Sequence, residues 1–345
     1  LGGALAAAAL GLALPALAQT ATVKTDALKA EPANESARAA TVAVHSVQVV
    51  DFEWTDEQRN RAVPARLYWP EPVKGTPADA KVPLVVFSHG LGGSRMGYSY
   101  LGRYWASQGF ASLHVQHAGS DRSVWGGNMF ELYSKMKNAT TEDSAMARAK
   151  DVSFAITQIL QSSEFAGRID EQAIAAAGHS YGANTALLVA GAQVKYQRKP
   201  VSLADPRVKA AIIISAPPFH GQGNMQPILA GVTIPTLHIT GTEDVISVPG
   251  YGSRMEDRVE VFDAVGAKAK LLAVFDGGTH NIFTDRLDRA GPELNKSVKT
   301  ATREITAAFL RTTLRGEPPQ QLGDVFAQFR SAFTKLSGGL PGLTM

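Results

Sequence analysis

The chain has 345 residues, 45% of them hydrophobic and 19% charged, which is enough apolar material for a substantial core and too little charge for a mostly disordered chain. The formal net charge is +3, with Lys and Arg scattered among Asp and Glu rather than run together, so no nucleic-acid partner is expected. Cysteine is absent, which excludes a thiol nucleophile, a disulfide framework and a cysteine-ligated metal.

Residues 1–18 (LGGALAAAALGLALPALA) form an uncharged apolar run ending in Ala16-Leu17-Ala18. That is the pattern of a secretory signal peptide with its small-residue cleavage site, and cleavage is expected before Gln19. The run is short for a membrane span and contains Pro15, so no stable membrane insertion is expected; an uncleaved apolar anchor is the alternative. It starts without Met or a basic n-region, so the first residues of the signal are expected to precede Leu1. Export to the periplasm or out of the cell follows. Residues 19–42, rich in Ala, Thr, Glu and Lys without sustained periodicity, are expected to be a flexible leader. The remainder, 43–345, is expected to be one catalytic domain.

Within it, short β-rich runs alternate with helical stretches. Val47–Trp54 and Ala65–Trp69 predict an opening hairpin at a sheet edge. Pro83–Phe87 (PLVVF) is a continuous apolar run, as in a strand buried on both faces. A helix over Tyr98–Gln108 and a strand over Ala111–Val115 follow. Ser144–Gln161 places Ala145, Ala149, Val152, Ala155, Ile156 and Ile159 on one helical face. Ala173–Ala177 predicts a strand and Ala183–Ala190 a helix. Further strands are expected at Ala210–Ile214, Thr236–Ile239 and Leu271–Phe275, with closing helices over Lys299–Leu314 and Val325–Leu336. This alternation implies an α/β fold, a mostly parallel central sheet flanked by helices, with the site where loops gather at the carboxyl ends of the strands.

Gly178-His179-Ser180-Tyr181-Gly182 reads G-x-S-x-G between an apolar strand and a helix rich in small residues. A serine at a sharp strand-to-helix turn has a strained backbone, and side chains two residues either side would collide with neighbouring chain. Ser180 is therefore the expected nucleophile, set at a helix N-terminus that favours negative charge. Acyl transfer also needs two rigid N–H donors aimed at the oxygen that becomes negative. Tyr181 is expected to supply one. The glycine-rich loop Ser88-His89-Gly90-Leu91-Gly92-Gly93, directly after PLVVF, supplies the other at Leu91. The loop lacks the lysine of a phosphate cradle.

Of the eight histidines, His280 follows the strand ending at Phe275 and comes last in the chain order Ser…Asp…His of such hydrolases, so it is the expected base. His45, His220 and His238 have no comparable position, and His238 is expected to be a packing residue. Asp244, just after the strand Thr236–Ile239, is the expected acid that holds the imidazole's tautomer. Glu243 and Asp276 are its rivals; Asp276, four residues before His280, is better placed to shape the turn.

These residues carry a resemblance. The stretch Val86-Phe-Ser-His-Gly-Leu-Gly92, then Arg95, Trp105-Ala-Ser-Gln-Gly-Phe110 and His117 with Asp121-Arg122-Ser123 resembles the platelet-activating-factor acetylhydrolase group. Dienelactone-hydrolase-like bacterial esterases are similar, although dienelactone hydrolases proper carry cysteine where this chain has Ser180. Gly178–Gly182 and His280-Asn-Ile-Phe283 fit the same pattern, and the likeness spans roughly residues 45 to 315. The resemblance implies an α/β-hydrolase fold and a serine esterase using neither metal nor cofactor. It also implies Ser180, Asp244 and His280 as triad, and Leu91 with Tyr181 as oxyanion donors.

Two insertions are expected to set specificity. Ser120–Thr141 carries Trp125, Met129, Phe130, Leu132, Tyr133 and Met136, and Pro217–Val232 carries Phe219, His220, Met225 and Leu229. Trp125, Phe130 and Phe219 are the expected substrate contacts, since an aromatic and methionine lining suits an apolar acyl or aryl group. The expected activity is hydrolysis of short- to medium-chain or aryl carboxylic esters. Alternatives are a polyesterase or lipase on polymer or lipid esters, another serine hydrolase such as a peptidase or thioesterase, and a non-catalytic binding protein on the same fold. No H-E-x-x-H occurs, which argues against a zinc hydrolase.

Overall fold

The computed structural model describes residues 22–24, 44–77, 79–248 and 251–344. The expected signal peptide and nearly all of the expected leader lie outside the described residues. Three antiparallel strands open the fold, β1 (Thr22–Lys24), β2 (Val47–Asp56) and β3 (Arg61–Pro70). β1 thus adds an edge strand from within the stretch expected to be a leader. Next come β4 (Val82–Ser88), α1 (Ser99–Ser107) and β5 (Ala111–Val115), then α2 (Met129–Ala139) and α3 (Glu142–Gln161). β6 (Ile169–His179) leads into α4 (Tyr181–Ala190), and a small hairpin of β7 (Gln193–Tyr196) and β8 (Lys199–Ser202) precedes β9 (Val208–Ile214). After α5 (Met225–Leu229) and β10 (Thr236–Glu243), a second small hairpin pairs β11 (Ile246–Val248) with β12 (Tyr251–Ser253). The chain closes through α6 (Met255–Ala264), β13 (Lys270–Thr279), α7 (Pro292–Arg315), α8 (Pro319–Gln328), β14 (Phe333–Leu340) and β15 (Leu343–Thr344).

The main sheet has eleven strands in the order β1-β2-β3-β5-β4-β6-β9-β10-β13-β14-β15. Its centre, from β5 to β13, is parallel throughout, and antiparallel strands finish both edges. Alternation along β4 shows why both faces are apolar. Leu84 and Val86 join the core under α3 and α4, whereas Val85 and Phe87 join the core under α1, α7 and α8. α3 starts where the Thr141 hydroxyl accepts the N–H of Ser144, with Glu142 and Asp143 in the first turn complementing the helix dipole. α7 starts on Pro292 and stops at Gly316, whose φ of 68° is the left-handed conformation that favours glycine. The arrangement is the α/β-hydrolase fold. Among the described residues no helix is long and apolar enough to cross a membrane.

One expected helix is corrected. Val325–Leu336 is not continuous helix: α8 ends at Gln328, a 3₁₀ turn covers Arg330–Ala332, and Phe333–Leu340 is a strand antiparallel to β13. The strand runs on through Ser337-Gly338-Gly339, a segment of weak helix propensity just past the expected helix. Gly338, at φ 89°, also lies so close to β13 that a Cβ would fall 2.0 Å from the Lys270 carbonyl oxygen. The edge of β13 offers unpaired backbone groups that the helical pattern ignores, and pairing with them wins. Several strands outrun their expected ends, and two of them matter to the site: β10 continues to Glu243 and β13 to Thr279.

Candidate active site

Ser180 sits between β6 and α4 with φ 55° and ψ −124°. Such a backbone costs on the order of 1–3 kcal/mol for a residue with a side chain, so its surroundings must impose it. They do. The Ser180 N–H donates to the Ile214 carbonyl at 2.9 Å, and its own carbonyl accepts the N–H of Ala183 at 2.8 Å. The flanking glycines answer to close approach rather than to φ. A Cβ on Gly178 would lie 2.1 Å from the Gly182 oxygen, and one on Gly182 would lie 1.9 Å from the Ser88 oxygen. Any side chain at either position would push the turn off the sheet.

The extended strands bring the acid and base side by side. Glu243 at the end of β10 pairs with Thr279 at the end of β13, across a register shift that follows Gly241. The next residue of each strand is therefore adjacent: Asp244 and His280. His280 Nδ1 donates to Asp244 Oδ1 at 2.8 Å, and Ser180 Oγ donates to His280 Nε2 at 2.8 Å. Asp244 is fully buried, and its other oxygen accepts the Thr240 hydroxyl at 2.6 Å. Burial alone would push its carboxyl upward. The hydrogen bond and charge of His280, the Arg258 guanidinium and the Ser215 hydroxyl outweigh that and hold it well below the usual carboxylate range. Arg258 donates to Asp244 Oδ1 at 3.2 Å and is itself buried. The rival Glu243 is exposed, and Asp276 is exposed on β13.

Leu91 lies beside Ser180, because the preceding Gly90 would bring a Cβ to 3.4 Å from the Ser180 Cβ. Gly90 oxygen accepts two donors, His89 Nδ1–H at 2.7 Å and the Gly93 N–H at 3.0 Å. A trans peptide points its N–H opposite to its carbonyl, so this grip also fixes the direction of the Leu91 N–H. Neither the Leu91 nor the Tyr181 N–H finds an acceptor among the described residues, and both residues line the cleft above Ser180.

His179 bridges two segments. Its Nε2–H donates to the carbonyl of His280 at 2.8 Å, so Nδ1 is the acceptor and takes the Tyr98 hydroxyl at 2.8 Å. Burial, then the nearby His280, push its pKa down to about 3. A second Ser–His–Asp string runs beneath the loop. His117 Nδ1 donates to Asp151 Oδ2 at 3.0 Å, and the Ser88 hydroxyl donates to His117 Nε2 at 3.1 Å. All three are buried and none lines the cleft, and Asp151 is further held by Arg61 and Arg59. Similar connectivity with slightly longer links and no access to the cleft makes this string a brace. Of the remaining histidines, His238 packs against Phe262, His220 lines the cleft beside Tyr251, and His45 donates to or accepts from nothing near Ser180.

The cleft has a volume of about 1630 Å³. Trp125 hydrogen-bonds through Nε1 to the Gly92 carbonyl at 2.8 Å, which lays its indole against the loop while half of it stays exposed. Phe219 lines the cleft and is also packed into the core. Phe130, expected as a substrate contact, is not among the lining residues and is 88% exposed. Met129, Leu132, Tyr133 and Met136 line the cleft from one face of α2, and Phe130 sits about 100° round the helix from Met129. Asn281, Thr284, Asp285, Arg286 and Arg289 add polar groups to the lining.

Several residues of this site carry no motif that picks them out of the sequence: Tyr98, Arg148, Asp151 and Arg258. α3 held a readable signal. Arg148 and Asp151 fall on its apolar face, where charge is anomalous, and both are fully buried. For Arg258 and Tyr98 the strand and helix patterns offer none.

The fold is that of the α/β-hydrolases, the geometry brings a serine, a histidine and an aspartate into one string, and comparison with known proteins points the same way. Residues 60–147 match the family of platelet-activating factor acetylhydrolase, isoform II. Residues 140–270 match the family described as serine hydrolase (FSH1), a span that includes Ser180 and Asp244. The platelet-activating factor acetylhydrolase of Cavia porcellus is 29% identical over 154 residues. That match covers 36% of this chain and 34% of the guinea-pig protein, so the chain aligns with about a third of that relative's length. These distant similarities relate the chain to the serine hydrolases of the α/β-hydrolase superfamily.

Proposed function

We propose that this protein is an exported carboxylic ester hydrolase that forms an acyl-enzyme on Ser180 from short- to medium-chain or aryl esters. The observation that carries the reading is the Asp244–His280–Ser180 string, spaced 2.8 Å at both links and opening onto an apolar-walled cleft. Ser180 Oγ attacks the ester carbonyl carbon while its proton passes to His280 Nε2. The Leu91 and Tyr181 N–H groups receive the oxyanion, and Asp244 stabilises the imidazolium. As the tetrahedral adduct collapses, the carbon–oxygen bond to the alcohol breaks and His280 returns the proton to the leaving oxygen. Water, deprotonated by His280, then repeats the sequence on the acyl-enzyme and releases the acid. No metal or cofactor has a part in this scheme. Export rests on residues 1–18 alone. The acetylhydrolase name of the guinea-pig relative supports a small acyl group.

A polyester or lipid substrate is the second reading, favoured by Trp125, Met129, Phe130, Tyr133 and Leu287, each more than half exposed and four of them lining the cleft. Hydrolysis of p-nitrophenyl esters from acetate to palmitate separates the two. A rate that falls beyond butyrate supports a small-acyl esterase, and a rate that holds or rises on long chains moves lipid or polymer esters to the front. Ser180→Ala should lower kcat by about 10⁴-fold or more without loss of fold. Near-native turnover in that variant would sink the hydrolase mechanism.

A further inference from the structure

Arg148 is fully buried, yet among the described residues no carboxylate lies within ion-pair distance of it. The nearest acid on its own helix, Asp151, is engaged by Arg59, Arg61 and His117. The guanidinium's partners are all neutral. Nη1 donates to the Ser120 hydroxyl at 2.8 Å, Nε to the Thr185 hydroxyl at 2.9 Å, and Nη2 to the His89 carbonyl. Its planar face lies over the Tyr181 ring, 4.4 Å from the centroid. Burial draws its pKa down to about 10, so the group remains charged at neutral pH. Taking a cation out of water is costly, and no ion-pair partner offsets that cost here. The three hydrogen bonds account for a donor at this place but not for its positive charge.

Every one of its contacts goes to a segment that carries an oxyanion donor or braces one. The His89 carbonyl belongs to the peptide immediately before the one whose N–H is Leu91. Ser120 accepts the Gly92 N–H through its backbone oxygen at 2.9 Å. Thr185, having accepted from Arg148, donates to the Tyr181 carbonyl at 3.0 Å, and the Tyr181 ring itself is under the guanidinium. One rigid, forked cation thus joins the loop after β4 to the first turn of α4, the two halves that must keep a fixed separation for both N–H groups to meet one oxygen.

We propose that Arg148 is a positioning residue of the ester hydrolysis, holding Leu91 and Tyr181 in one frame and placing a fixed positive charge behind the oxygen that becomes negative. The inference rests on the serine-hydrolase reading above. It explains the missing counter-ion: negative charge arrives only with the tetrahedral adduct, so the cation is complemented in the transition state and not in the resting enzyme.

The test compares wild type, Ser180→Ala, Arg148→Lys and Arg148→Gln on p-nitrophenyl acetate, with melting temperature as the check on folding. A phenylboronic acid, whose serine adduct is a tetrahedral anion, supplies the second readout. Arg148→Gln is expected to lower kcat by about 10²-fold with KM within roughly threefold, and to weaken the boronate in parallel with kcat/KM. Arg148→Lys, which keeps charge without the fork, should recover part of the loss in both. A folded Arg148→Gln with kcat and boronate affinity within about twofold of wild type overturns the proposal while the hydrolase reading stands. If wild type shows no turnover that depends on Ser180, the hydrolase reading falls and takes this one with it. Should Arg148→Gln not fold, Thr185→Val removes the Nε acceptor and leaves the charge. A several-fold fall in kcat at constant KM then supports the proposal, and unchanged kcat overturns it.

Discussion

His179 illustrates how much of this site rests on single ring nitrogens. Because the His280 carbonyl can only accept, Nε2 of His179 must carry the proton, and Nδ1 must take the Tyr98 hydroxyl. The ring therefore ties the backbone just before Ser180 to that of His280, and Tyr98 accepts a left-handed φ of 58° at the start of α1 while providing the hydroxyl. A net hydrogen bond of this kind is worth about 1 kcal/mol, and an orphaned buried partner costs ~1–3 kcal/mol. His179→Leu should consequently lower both the melting temperature and kcat, the latter about tenfold. His179→Gln, whose amide nitrogen reaches the position of Nε2, should restore most of kcat. Equal losses in the two variants would show that ring packing against His280, not the donor, is what matters.

At the scale of elements, α2 differs from every other long helix in the fold. Among its residues only Ala139 is buried, so the helix contributes little to either core. What it presents instead is a stripe of Met129, Leu132, Tyr133 and Met136 facing the cleft, the i, i+3, i+4, i+7 spacing of one helical face. Replacing Met129, Tyr133 and Met136 with serine should leave melting temperature nearly unchanged. At about 25 cal/mol for each Å² of acyl chain no longer sheltered from water, KM for p-nitrophenyl octanoate should rise at least tenfold, with the acetate ester little affected. Unchanged KM on the octanoate would mean the acyl chain lies elsewhere. The helix was legible only as an insertion rich in aromatic and methionine residues, because its stripe is short and flanked by glycine. The two buried charges of α3 were legible as an anomaly, although which loop they brace depends on how β4, α3 and α4 pack.

At the scale of the whole molecule, buried neutral histidines among the described residues are expected to dominate the response to acid. Burial pushes His114, His179 and His238 down to about 3 and His117 to about 4, and drives His89 well below its ordinary value. An unfolded histidine titrates near 6.5. Between that value and the folded ones, the unfolded chain binds protons that the folded chain refuses, so stability is fully present above about pH 6.5 and falls as pH drops. Each such histidine costs roughly 1.4 kcal/mol per pH unit in that window. Asp244 and Asp151, held low by their partners, add their own loss only below the ordinary carboxylate range. The melting temperature should therefore fall steeply between pH 6.5 and 5, well before the carboxylates titrate. A flat profile from pH 7.5 to 5 would contradict the neutral burial of these rings.

The amino-acid sequence by itself determined the parallel core, the elbow and the order Ser180, Asp244, His280 along the chain. Those features are local: an apolar run reports a two-sided burial, and G-x-S-x-G reports a turn too crowded for side chains. The tertiary structure decided what depends on strands meeting. The register Glu243 with Thr279 puts Asp244 against His280, β13 recruits Phe333–Leu336 away from the expected helix, and β4, α3 and α4 enclose Arg148 beside Leu91 and Tyr181. Propensity and periodicity are properties of neighbours in the chain, whereas the spacing of a catalytic string and the company of a buried charge are properties of neighbours in space.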